Sequence, residues 1–110
     1  MMQSVSHQSA DQALQEFLDS AFTTSHSTAT VTGYKYAITS RAGGFRKFLK
    51  ERYDCDEIQL YSKIKNEELD VYQVLKNYVV FLDKANLRPN SIRHFFYGVK
   101  GYLIHLGVEV

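Results

Sequence analysis

A chain of 110 residues with 45% hydrophobic content, eight tyrosines and seven phenylalanines reads as one domain with a modest core, which excludes wholesale disorder. No apolar run approaches the roughly 18 residues needed to span a membrane, and the polar start from Met1 to Ser9 lacks the cationic and apolar parts of a signal peptide. The single cysteine, Cys55, excludes an internal disulfide and suits a reduced, cytoplasmic setting, while a net charge of only +1 argues, taken alone, against nucleic-acid binding.

In chain order, residues 1–8 read as a flexible N-terminal segment. Ser9 is placed to cap a first helix, with Gln12 three positions on as its reciprocal partner. Ala10, Leu14, Phe17 and Ala21 then follow at helical spacing, which predicts a helix from Ala10 to Phe22. The small polar run Thr23 to Ser27 reads as a loop, and Ser27 as the cap of a second helix. Val31, Tyr34, Ile38, Ala42, Phe45 and Leu49 keep one stripe through Gly43-Gly44. Each glycine costs a helix about 1 kcal/mol, yet the continuous stripe favours one long helix to about Arg52 over a break at the pair. Asp56 caps a short helix predicted over Glu57 to Lys65. Asp70, with Gln73 completing the cap, starts a third long helix with Val71, Leu75, Tyr78, Val79 and Leu82 buried, ending near Ala85 or Asn86. After Pro89 a fourth long helix carries Ile92, Phe95, Phe96, Val99, Leu103 and Leu106, and Gly107 fits the position just past its end. Nothing alternates with the period of a strand. The expectation is an all-α bundle of four main helices plus one short helix.

The charge is unevenly placed. Thr28 to Tyr53 together with Lys84 to Val108 hold ten basic residues and one acid, Glu51; the rest holds three basic residues and eleven acids. On a helical projection, Gly33, Tyr36, Ser40, Gly43, Gly44, Lys47 and Lys50 face outward opposite Ile38. Arg93, His94, Tyr97, Lys100, Gly101 and Ile104 face outward opposite Val99. Glycine on a solvated helix face suits a partner that approaches the backbone closely, whether a phosphate backbone or another protein helix. Two basic faces on one side would present a surface to duplex DNA.

No catalytic constellation accompanies these faces. His7, His26, His94 and His105 lack metal-ligand spacing with carboxylates or Cys55, and Gly43-Gly44 lacks the flanking pattern of a phosphate-cradling loop. Glu67, Glu68 and Asp70 sit at a helix start, where carboxylates favour the dipole. No catalytic residue, metal or cofactor is assigned, and Cys55 reads as a structural thiol.

Several segments resemble one family. Ser27, Thr30 and Tyr34 give S-x-x-T-x-x-x-Y ahead of Phe45-x-x-Phe48-Leu49, which resembles the first DNA-contacting helix in the core-binding domain of tyrosine recombinases. Asp70-Val71-Tyr72 with Val79-x-x-Leu82 resembles the next helix, as written in archaeal integrases. Leu87-Arg88-Pro89-Asn90-Ser91-Ile92 looks like the family's L-S-P-x-T-I entry to the last helix, and Val99-Lys100-Gly101-Tyr102-Leu103 like its continuation. The stretch from Tyr34 to Phe48 is about one turn longer than in bacterial members. Arg88 stands where the family has a small capping residue, so Asn90 is expected to cap instead.

The resemblance implies a fold like a SAM domain over residues 9–107. It also implies a role as one arm of a C-shaped clamp on double-stranded DNA in integration or recombination. The strand-exchange chemistry would belong to a separate C-terminal catalytic domain, toward which residues 108–110 would begin a linker. Other recombinase protomers on the recombination site would be further partners. Lys35, Arg41, Lys47 and Lys50 would neutralise phosphates, with Thr30, Tyr97 and Lys100 on the same contact helices. Asn90, Arg93 and His94, near the start of the last helix, are the candidates for base edges. A SAM-like helical module that binds protein is the competing expectation.

Overall fold

The computed structural model describes residues 9–110, and the segment expected to be flexible, residues 1–8, lies outside the described residues. Six helices follow one another: α1 (Ala10–Ser25), α2 (Thr28–Thr39), α3 (Phe45–Tyr53), α4 (Glu57–Lys65), α5 (Val71–Lys84) and α6 (Pro89–Leu106). Among the described residues there is no strand, so the fold is all-α. No helix among them is long and apolar enough to cross a membrane.

Ser9 caps α1, its hydroxyl accepting from the Gln12 backbone N–H at 3.1 Å, but the Gln12 side chain does not return the reciprocal bond expected of it. The helix runs three residues past the expected end. Thr23, Thr24 and Ser25 each turn a hydroxyl back onto the carbonyl four residues earlier, at 2.8–3.1 Å, which lets a polar run stay helical. His26 then stops the helix in the left-handed region, at φ 51°.

The expected long second helix does not form. Ser27 caps α2 through the Thr30 backbone N–H, but the helix stops at Thr39. Ser40 is extended, its hydroxyl accepts the Ala42 backbone N–H at 3.2 Å, and the chain turns through Gly43-Gly44 before α3 begins. Tertiary contacts hold the break. The buried Tyr78 hydroxyl donates to the Gly43 carbonyl at 2.7 Å, replacing a partner inside a helix. A Cβ on Gly43 would lie 2.9 Å from each of Leu82, Leu87 and Phe95, so this backbone is packed against α5 and α6.

The short helix α4 matches its expected bounds. Asp56 and Gln59 form the full reciprocal cap, at 2.8 and 2.9 Å. At α5, Asp70 accepts from the Tyr72 N–H at 3.4 Å, whereas the Gln73 side chain turns to Asn77 rather than completing a box. At α6 the capping residue is Arg88, without a side-chain cap, and Pro89 takes the first helical position, where its missing N–H costs nothing. Asn90 therefore lies inside the first turn and does not cap. Gly107 ends α6 at φ 103°, and Val108 donates to the Leu103 carbonyl at 3.0 Å. Val108 is buried against the core.

Two aromatic clusters organise the interior. Phe45, Phe48, Tyr78 and Phe81 join α3 to α5, with ring centroids 5.1–6.3 Å apart. Phe17, Tyr34, Tyr102 and His105 join α1, α2 and α6, with centroids 5.1–5.5 Å apart. Between them runs a buried polar strap. Glu57 is fully buried and accepts Arg46 Nε at 3.2 and 3.0 Å and the Tyr102 hydroxyl at 2.9 Å. Arg46 Nη1 reaches Asp11 at 2.8 Å, so one guanidinium ties α1, α3 and α4 together.

Candidate nucleic-acid interface

α2 and α6 form the most extensive helix pair of the fold. Small residues let them close on each other. A Cβ on Gly98 would lie 3.0 Å from the Ala37 Cβ, and one on Gly33 would lie 3.3 Å from His94 Nε2. The exposed residues of the two helices therefore border one another across the Gly33–His94 contact. Tyr36 stands on the α2 side, 54% exposed, its ring 5.5 Å from Phe95. Asn90, Arg93, His94 and Tyr97 are all exposed on α6, and Lys100 is half-buried further along. Neither helix contains an Asp or Glu. Among the described residues no ion pair engages Lys35, Arg41, Arg93 or Lys100. This surface is cationic and offers hydrogen-bonding tips, the two properties that phosphate and base contacts require.

The remaining expected site residues lie elsewhere. Thr30 is half-buried in the first turn of α2, its backbone N–H held by Ser27. Lys35 is exposed but borders the groove between α1 and α2, beside Phe22 and Asp19, on the flank of α2 away from α6. Arg41 is exposed in the turn between α2 and α3. Lys47 and Lys50 sit on the separate helix α3. Lys47 lies 4.0 Å from Glu51 and Lys50 3.2 Å from Asp54. Lys50 also borders a groove lined by Ser9, Asp11 and Asp56. Exposed pairs of this spacing contribute only about 0.3–0.5 kcal/mol, so a phosphate can displace the carboxylate.

The glycine assignments on the second helix are corrected as well. Ser40, Gly43 and Gly44 are buried rather than outward, because the chain turns inward there to meet Tyr78. Gly101 is half-buried, with its hydrogen directed at the Phe17 ring of α1, 3.7 Å from where a Cβ would stand. Arg46, one of the ten clustered basic residues, is taken up by the buried strap. Burial works against its charge, but Glu57 and then Asp11 outweigh that and hold its proton more firmly than an ordinary guanidinium. Burial likewise pushes the Cys55 thiol up, which keeps it protonated and unreactive.

One feature of the surface escaped the sequence reading. Between α5 and α6 runs a shallow, largely apolar groove of about 370 Å³, lined by Val79, Pro89, Ile92, Arg93, Phe96 and Tyr97. Its sequence signal was the placing of Val79, Ile92 and Phe96 in buried stripes, where all three are only half-buried. Among the described residues, no three His, Cys, Asp or Glu side chains gather as a metal centre would need. Comparison of the chain with protein-family models, with curated proteins and with solved structures returns no match.

Proposed function

We propose that this chain grips duplex DNA through the α2–α6 surface, as the core-binding domain of a tyrosine-type recombinase whose strand-exchange chemistry resides in a separate catalytic domain. The observation that carries the reading is the pairing of two acid-free helices, in direct contact, inside a chain that is nearly neutral overall. The motif resemblance over α2, α5 and α6 adds the family. Arg93, His94 and Asn90, at the exposed start of α6, are the base-edge candidates. Lys100 supplies a phosphate contact beside them, and Lys35 and Arg41 add cations from outside that surface. Lys47 and Lys50 add cations from α3 once their carboxylate partners are displaced.

The test is binding of the 110-residue chain to duplex DNA across a salt series. One arm of a clamp has only its own contacts, so binding is expected to be mostly independent of sequence, with Kd of about 10⁻⁴ to 10⁻⁶ M, weakening steeply as salt rises. Absence of duplex binding even at low salt would overturn the reading. The exposed Tyr36, Tyr97 and Ile104 would then mark a protein-docking face.

A further inference from the structure

We infer that the α5–α6 groove receives an unstacked nucleobase, so that the domain prefers DNA carrying an unpaired base to perfect duplex. This deepens the DNA-binding reading and rests on it. The groove opens along α6, the helix that carries the base-edge candidates, and Arg93 and Tyr97 belong to both surfaces. Phe96 and Tyr97 stand with ring centroids 6.0 Å apart at an interplanar angle of 70°, forming a corner of two aromatic faces. A flat heterocycle can stack on one ring while its edge meets the other. Val79, Pro89 and Ile92 complete apolar walls that would shed water onto such a face. The one charged residue in the lining is Arg93, a planar cation suited to the phosphate that travels with the base. The Tyr97 ring is 60% exposed, and its hydroxyl has no hydrogen-bond partner among the described residues.

The chemistry favours a nucleotide over an acidic or neutral peptide helix. A helix seated between α5 and α6 would need a long apolar trough, whereas this groove spans little more than two turns of α6, from Pro89 to Tyr97. Its depth suits stacking on an open face rather than enclosure of a side chain.

Fluorescence anisotropy with the full chain tests the inference on three otherwise identical duplexes: perfectly paired, carrying one unpaired adenine, and carrying one abasic bulge. The unpaired adenine should tighten binding about five- to 140-fold over the perfect duplex, the range that one base–aromatic stack supplies. The abasic bulge should not, because it bends the backbone without offering a ring. Tyr97→Ala should abolish the preference. Val79→Gln, which fills the groove with an amide and lies off the duplex-binding face, should abolish it while leaving perfect-duplex affinity unchanged. 2-Aminopurine at the bulge should be quenched by the wild-type chain and not by either variant. Equal affinity for perfect and bulged duplex overturns the inference and leaves the duplex reading standing. A preference that persists with the abasic bulge, or in both variants, overturns it too. Loss of binding to all three duplexes overturns the duplex reading itself.

Discussion

Replacing Arg46 by methionine isolates what the buried carboxylate of Glu57 demands. Methionine keeps an unbranched stem in place but removes both charge-assisted bonds, at 3.2 and 3.0 Å, leaving Glu57 with the Tyr102 hydroxyl at 2.9 Å. Stranding a buried charge in this way costs about 3–5 kcal/mol. In a domain of this size each kcal/mol lowers Tm by roughly 4–8 °C, so the expected fall is on the order of 20 °C. The same guanidinium also meets Asp11, whose side chain is 89% exposed, so Asp11→Ala should cost at most about 1 kcal/mol. Circular dichroism during heating and urea titration measures both. The triple variant Arg46→Met, Glu57→Leu, Tyr102→Phe replaces the whole strap by apolar groups and should return close to wild-type stability. If Arg46→Met stayed within about 1 kcal/mol of wild type, the strap would be inert. Arg46 would then count as a surface cation, visible as a shallower salt dependence of DNA binding.

Other expectations follow from single positions. A Cβ on Gly44 would stand on the Ser40 carbonyl oxygen and 2.6 Å from its nitrogen, so Gly44→Ala should destabilise by several kcal/mol, read by urea midpoint. Gly101→Ala meets only the Phe17 ring at 3.7 Å and should leave Tm equal or raised, since alanine suits a helix by roughly 1 kcal/mol over glycine. Arg93→Ala should reduce any preference among duplex sequences. Lys47→Ala and Lys50→Ala should each weaken binding to every duplex and flatten the salt slope, each by less than one unit because Glu51 and Asp54 already hold these cations part of the time, whereas Lys63→Ala and Lys65→Ala should change little. Equal effects from all four lysines would refute the assigned surface. Incubation with supercoiled or nicked DNA should give no covalent protein–DNA adduct. Tyr78 and Tyr102 are buried, and burial holds their phenols protonated far above the ordinary range; an adduct on any tyrosine would refute the reading.

The helix boundaries that the sequence made legible are those written in local chemistry. Asp56 with Gln59, Ser9, Ser27 and Gly107 each satisfy backbone groups within three or four residues, and each boundary stands where that chemistry places it. The boundaries that were missed depend on distant residues or on competing local bonds. Whether the stripe through Gly43-Gly44 stays helical is decided by Tyr78, 35 residues away, which takes the Gly43 carbonyl into the core. Three hydroxyls folding back on their own turn carried α1 through a run that composition marks as loop.

The candidate site was legible as a sum and not as a map, and the reason is electrostatic. Counting along the chain gives every cation the same weight. In the fold a cation acts on solvent only to the extent that no carboxylate already holds it. Arg46 drops out, bonded to Glu57 and Asp11, and Lys47 and Lys50 are discounted by Glu51 and Asp54 on the same helix. Glu51 lies inside the basic count, but Asp54 falls just outside the segment that defined it, so the segment boundary hid one neutralising partner. Arg93 and Lys100 keep their weight because α6 brings no acid of its own, and α2, packed against it through Gly33 and Gly98, brings none either. In the richest basic run, Arg46 to Arg52, three of the four cations stand beside a carboxylate, whereas Arg93 and Lys100 of α6 do not. Salt dependence resolved variant by variant distinguishes these weightings: an unpaired cation contributes its full unit to the slope, and a paired one contributes less by the fraction of time its carboxylate holds it.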